Sequence, residues 1–199
     1  MNSNRDVLII GGGSIGLNCA YYLLQAGRQV TLIDSGNIAD SSSTGNAGHI
    51  VPSHIIPLAA PGVISDTIKW LLRPSTSPFG MKFSLAPDYL RWLLHFARNC
   101  SQNNVDMALA PLKALGELSS QNYAQLIEKE GISCSYQQKG LLFLYCSAAA
   151  FQAGKEEAKL LSSHGVATSI LEQPELRSLE PGVTDAVIWG ILYPGDANL

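Results

Sequence analysis

At 199 residues, 46% of them hydrophobic and 15% charged, the chain has ordinary globular composition. That length suffices for one domain or two small ones, and for a core burying roughly 70% of the unfolded surface without disulfides or metals. A net charge of −3 excludes the basic excess expected of a nucleic-acid binder. No run approaches the roughly 18 apolar residues of a membrane span, and Val7–Ile10 is too short for a signal peptide. Cys19, Cys100, Cys134 and Cys146 form no CxxC pair and read as reduced thiols of a cytosolic compartment.

Val7-Leu8-Ile9-Ile10 is an apolar run suited to a strand buried on both faces. Gly11 to Gly13 predict a turn, Leu17 to Ala26 a helix stopped by Gly27, and Val30 to Asp34 a second strand. This is one βαβ unit. Asp40 to Gly48 reads DSSSTGNAG, a loop, and Pro52, Pro57 and Pro61 extend the irregular stretch. From Ser65 to Gly131 the pattern is helical in pieces. One helix spans Asp88 to Asn99, with Tyr89, Trp92, Leu93, Phe96 and Ala97 on its apolar face and Asp88, Arg91, His95 and Arg98 opposite. Pro111 is expected to open another, with Leu112, Leu115 and Leu118 at three-residue spacing and Gly131 as the stop. Leu141 to Cys146 predicts a strand, Ala148 to His164 a helix ended by Gly165, and Ala167 to Leu171 and Ala186 to Tyr193 two further strands. The order predicts an α/β chain, α+β overall: a Rossmann-like βαβ unit, then helices, then the start of a mainly antiparallel sheet.

Gly11, Gly13 and Gly16 satisfy GxGxxG. Gly11 permits the tight turn, Gly13 lets a pyrophosphate approach the backbone, and Gly16 lets helix and strand pack closely. The helix N-terminus offers free N–H groups and partial positive charge. Ala20 is small where the helix presses on the sheet, and Leu23 continues the buried stripe. Asp34 stands 18 residues after Gly16, where a carboxylate accepts hydrogen bonds from both adenosine ribose hydroxyls and repels a 2′-phosphate. Together these predict a dinucleotide site. The composition of the loop after Asp34 suits either a large flat cofactor or a bare solvated loop. His49 and His54 are read as loop histidines without a metal, since further ligands are missing nearby.

Ile9-Ile10-Gly11-Gly12-Gly13-Ser14-Ile15-Gly16, Asp34-Ser35 and Ser43-Thr44-Gly45-Asn46-Ala47-Gly48 together resemble the D-amino-acid oxidase superfamily of FAD-dependent oxidoreductases. Segments from Asn46 through Pro57, Ala60-Pro61-Gly62 and Lys69-Trp70-Leu71 are similar to its bacterial D-amino-acid dehydrogenase branch, as are Leu90-Arg91-Trp92 and Arg98-Asn99-Cys100. Lys139-Gly140-Leu141, Leu179-Glu180-Pro181 and Tyr193-Pro194-Gly195-Asp196 continue the superfamily likeness. The resemblance implies FAD. It implies that Gly11, Gly13, Ser14, Ile15 and Gly16 hold the pyrophosphate, Asp34 and Ser35 the adenosine ribose, and Ser43, Thr44 and Gly45 the phosphate side. Ala47, Gly48 and His49 would then stand near the flavin ring.

The implied reaction is oxidation of the CH–NH group of a D-amino acid or related imino acid, with hydride passing to flavin N5 and electrons to a quinone or another acceptor. The implied domains are 1–60, an FAD-binding βαβ unit with its flavin loop; 61–136, a helical segment; and 137–199, the first part of a substrate domain. Relatives of this kind are longer and complete both domains with later residues. The chain is therefore expected to be an N-terminal half, and no catalytic residue is assigned within it. The cationic face of the Asp88 to Asn99 helix allows peripheral contact with the inner face of the cell membrane, though an ordinary helix packing on the core is the favoured reading of this pattern. Two alternatives stand beside this reading: a non-catalytic FAD-binding subunit of a split amine dehydrogenase, and an NAD-dependent dehydrogenase, which the loop from Ser41 to Gly48 disfavours.

Overall fold

In the computed structural model the described residues are 6–40, 42–65, 67 and 84–199. Ser41 and the Lys69-Trp70-Leu71 segment lie outside them. The chain divides into two units, Met1–His49 and Ile50–Leu199.

In the first unit, β1 (Val7–Ile10) and β2 (Val30–Ile33) pair in parallel, Val7 opposite Val30 and Ile10 opposite Ile33, with α1 (Ser14–Gln25) between them in sequence. The βαβ unit is as the sequence predicts, but β1 is not buried on both faces. Val7 and Ile9 are half-buried, while Leu8 and Ile10 are exposed, Ile10 to 80%. Within this unit a single crossover helix covers one face of the two-stranded ribbon. Ile9 lies on the covered face, 3.5 Å from where a Cβ on Gly16 would stand. The half-buried stripe of α1 runs through Gly16, Ala20 and Leu23. α1 starts at Ser14, three residues earlier than expected, because the extended Gly13 serves as its N-cap.

The larger unit is built on an antiparallel sheet of order β4-β6-β5, formed by β4 (Leu141–Tyr145), β5 (Ser169–Glu172) and β6 (Trp189–Tyr193). Register places Phe143 opposite Ile191 and Tyr145 opposite Trp189. Alternation puts these side chains, with Tyr193, on one face. Against that face pack Val105 and Leu109 of α3 (Gln102–Glu130), Phe151, Ala158 and Leu161 of α4 (Ala148–Ser163), and Ile55. Phe151 and Trp189 stack at 4.8 Å between ring centroids. On the other face Leu176 of α5 (Gln173–Leu179) is fully buried against Gly190. α2 (Pro87–Asn99) precedes α3, and the short strands β3 (His49–Ile50) and β7 (Ala197–Asn198) pair.

Several elements differ from expectation. Pro111 does not open a helix; it lies inside α3, which begins at Gln102 because the Ser101 hydroxyl accepts the Asn104 N–H at 3.4 Å. Proline removes one backbone donor there without ending the helix. Leu112, Leu115 and Leu118 are exposed, Leu115 to 64%. The buried line of α3 runs instead through Val105, Leu109 and Ser120. Trp92 of α2 is also largely exposed, though it stacks between Tyr89 and Phe96. β6 begins only at Trp189, since the Val187 N–H closes a turn onto Thr184. α5 was unforeseen; Pro174 in its first turn and the Glu175 carboxylate accepting the Glu172 N–H are its local signals. All four cysteines are free thiols. Among the described residues no helix is long and apolar enough to cross a membrane.

Candidate functional site

The glycine loop is organised by β1, α1 and β2 together. Gly11 leaves β1 with φ +107°, a conformation that L side chains rarely adopt, and its N–H bonds to the Ile33 carbonyl at 2.8 Å. A Cβ on Gly16 would stand 1.9 Å from the Gly11 carbonyl oxygen, so α1 sits against the turn at a distance only glycine permits. Gly12, to which the sequence assigned no role, is buried, and a Cβ there would meet Leu32 and Ile38 at 3.2 Å. Leu17 N–H already bonds to the Gly13 carbonyl. The N–H groups ahead of it in the first turn lie where a helix gathers partial positive charge.

Asp34 stands one residue beyond β2. Its carboxylate accepts the Gly12 N–H at 2.6 Å and the Gly36 N–H at 2.9 Å. These bonds, the Gly12 one foremost, hold its pKa below the ordinary 3.8. Asp34 therefore fixes the glycine turn and keeps an exposed, ionised carboxylate beside it. Ser35 follows and is exposed. Across the turn, Ser43 Oγ accepts the Ser14 N–H at 3.0 Å, which ties the small-residue loop to the start of α1. The Asn46 amide bonds to the Ser43 carbonyl, and Asn46 Oδ1 accepts the Gly48 N–H at 2.6 Å. The unit thus brings Gly11, Gly13, Ser14, Ile15, Gly16, Asp34 and Ser43 to one end of the βαβ ribbon. Thr44, Gly45 and Ala47 lie exposed in the same loop, Gly48 has φ +68°, and His49 enters β3. The donors at the helix start, the Cβ-free turn and the exposed carboxylate are the set that a pyrophosphate and an adenosine ribose require.

Ionisation of Asp34 gives a pH test. Its native pKa is lowered, so its contribution to stability is full above about pH 4 and is lost as pH falls through the native value. FAD affinity is expected to fall in that acidic window. Asp34→Asn, which sets an amide against the Gly12 N–H, is expected to weaken FAD binding at neutral pH by about tenfold or more and to flatten the acidic fall. Fluorescence titrations from pH 3 to pH 7 check both.

A second polar centre lies in the larger unit. Asp196, fully buried, accepts the Ser53 N–H at 3.1 Å and the Ser53 hydroxyl at 2.6 Å. These residues are 143 apart in sequence, and no spacing pattern could have joined them.

A family model described as FAD dependent oxidoreductase matches residues 6–199. The chain is 31% identical over 195 residues to a D-amino acid dehydrogenase of Helicobacter pylori, covering 98% of this chain and 46% of that protein. It is 32% identical over 198 residues to D-amino acid dehydrogenase 2 of Ralstonia nicotianae, covering 98% and 46%. The chain thus spans less than half the length of these relatives. Among solved structures, the glycine oxidase of Bacillus cereus superposes with a TM-score of 0.63 at 20% identity, over 97% of this chain and 39% of that one. The FAD-bound L-alpha-glycerophosphate oxidase of Mycoplasma pneumoniae gives 0.61 at 19% identity, over 98% and 38%. These likenesses show the shared fold.

Proposed function

The chain belongs to the FAD dependent oxidoreductase family and is related to bacterial D-amino acid dehydrogenases, and from that membership we propose that it supplies the FAD-holding part of an enzyme oxidising the CH–NH group of a D-amino acid or related imino acid. The observation that carries this reading is the Gly11–Gly16 turn clamped to Asp34, at the start of a chain matched over residues 6–199. When bound, FAD supplies the acceptor of the substrate hydride at N5. The first-turn amides of α1 would hold the pyrophosphate, and Asp34 with Ser35 the adenosine ribose. Ser43, Thr44 and Gly45 would flank the phosphates, and Ala47, Gly48 and His49 would lie toward the ring. In this reading residues 1–60 form the cofactor unit with its flavin loop, 61–136 a helical segment and 137–199 the beginning of the substrate domain.

Electrons leave to a quinone or another acceptor. Peripheral membrane contact on the cytoplasmic side is supported by α2, which exposes Trp92 and Leu94 beside Arg91, His95 and Arg98. The experiment is anaerobic addition of D-alanine and D-proline to the flavin-loaded full-length protein. The flavin absorbance is expected to bleach, with D-alanine yielding a 2-oxo acid and ammonia. A flavin that no D-amino or imino acid reduces contradicts the proposal.

A further inference from the structure

α3 gathers polar residues on one side. Lys113, Gly116, Glu117, Ser120 and Gln121 fall at helical spacing on one side, while Leu115 and Leu118 stay exposed. Gly116 permits close approach of the Pro52 backbone, with a Cβ there only 3.2 Å from Pro52 Cα. Beyond that contact the polar face lines a cavity of about 300 Å³, the low end of the range for small-molecule sites. Of that face Ser120 is buried, Lys113 and Gly116 are half-buried, and Glu117 and Gln121 are exposed.

The cavity's chemistry is specific. Lys113 and Glu117 form an ion pair at 2.7 Å on its wall, both partly exposed. The Lys113 amine reaches the turn at Gly165, 3.8 Å from where a Cβ would stand. Ser120, only 8% exposed, brings a hydroxyl-bearing side chain to the cavity lining. Gln121 and Gln138 add neutral donors and acceptors, and Val166 and Ala167 give an apolar wall. Burial pushes the Tyr193 phenol up to about 12, so it stays a neutral donor. The Asp196 carboxylate at the floor is held by Ser53.

We propose that this cavity binds a small zwitterionic amino acid, its carboxylate toward Lys113 and its ammonium toward Glu117, at a site separate from the dinucleotide-binding residues. One cation and one anion a helical turn apart match the two charges of a zwitterion. Opening a partly exposed ion pair costs little, and the ligand replaces both halves of it. Val166 and Ala167 on the apolar wall accept a short side chain. None of the residues from Gly11 to Gly16, nor Asp34 or Ser43, lines the cavity. The inference therefore does not depend on the proposed oxidation.

The test uses 2-aminoisobutyrate, a zwitterion with no Cα–H and so inert to the proposed oxidation. Its binding to the FAD-loaded protein is followed by saturation-transfer NMR. Saturable binding with a Kd on the order of 1 mM is expected. Lys113→Met and Glu117→Gln should each weaken it by about tenfold or more. The double variant Lys113→Glu/Glu117→Lys should restore it, because the zwitterion can reverse. FAD affinity and bleaching by D-alanine should match the unmodified protein in all three. Absence of binding, or binding that both single variants leave intact, overturns the inference. Failure of D-alanine to bleach the unmodified protein counts against the oxidation alone, since the charge-swap result is read without turnover.

Discussion

Gly16→Ala is expected to abolish practical flavin loading. The new Cβ would stand 1.9 Å from the Gly11 carbonyl oxygen and 3.0 Å from the Gly11 carbonyl carbon. Both are backbone atoms, so no rotamer change relieves the contact; either α1 moves off β1 or the glycine turn opens. Overpacking of this kind costs roughly 1–3 kcal/mol where side chains can yield. Against backbone the upper end applies, equivalent to about 100-fold in affinity. The shift also moves the first-turn amides that would hold the pyrophosphate. Gly182→Ala is the control, because its Cβ meets only Glu180 Oε1 at an ordinary 3.6 Å. The control should purify with full flavin absorbance and Gly16→Ala should be colourless. Equal flavin content in both would break the link between the turn's geometry and cofactor binding.

Asp196→Ala is expected to lose about 3 kcal/mol of stability. The removed carboxylate is fully buried and is the acceptor for both the Ser53 N–H and the Ser53 hydroxyl. Hydrogen bonds to a charged group contribute about 1.5–3 kcal/mol each, and the buried Ser53 groups would be left without an acceptor. For a chain of this size the melting temperature should fall by roughly 10 °C. The loop that Ser53 anchors also delivers Ile55 to the core, so the loss should spread to the packing of α3 and α4. Ser53→Ala should cost less, and the double variant should cost little more than Asp196→Ala, since the two residues share one interaction. Additive losses would show that each acts through other contacts.

The first unit was largely legible before its structure was known. An apolar strand, a glycine turn, a capped helix and a strand ending near an aspartate are all local signals, and their offsets alone fix the βαβ unit. What the sequence left out there is tertiary: the burial of Gly12 against Leu32 and Ile38, and the bond from Ser14 to Ser43 across the turn. In the larger unit, local signals misled at Pro111, because proline is favoured in a first turn yet tolerated inside a long helix whose true start has its own serine cap. The leucine spacing of α3 does not mark its buried face. Its orientation is decided by Val105 and Leu109 against the sheet and by the approach of Pro52 to Gly116, neither of which any sequence window contains. The Ser53–Asp196 pair was invisible for the same reason.

The central claim is that the Gly11–Gly16 turn with Asp34 holds an adenosine-bearing flavin. The most direct measurement is acid release and identification of whatever chromophore the purified, FAD-reconstituted protein retains after exhaustive dialysis. FAD at one equivalent per chain is predicted, with FMN failing to load because it lacks the ribose that Asp34 would hold. Retention of FMN as readily as FAD, or of NAD with no flavin, would contradict the account.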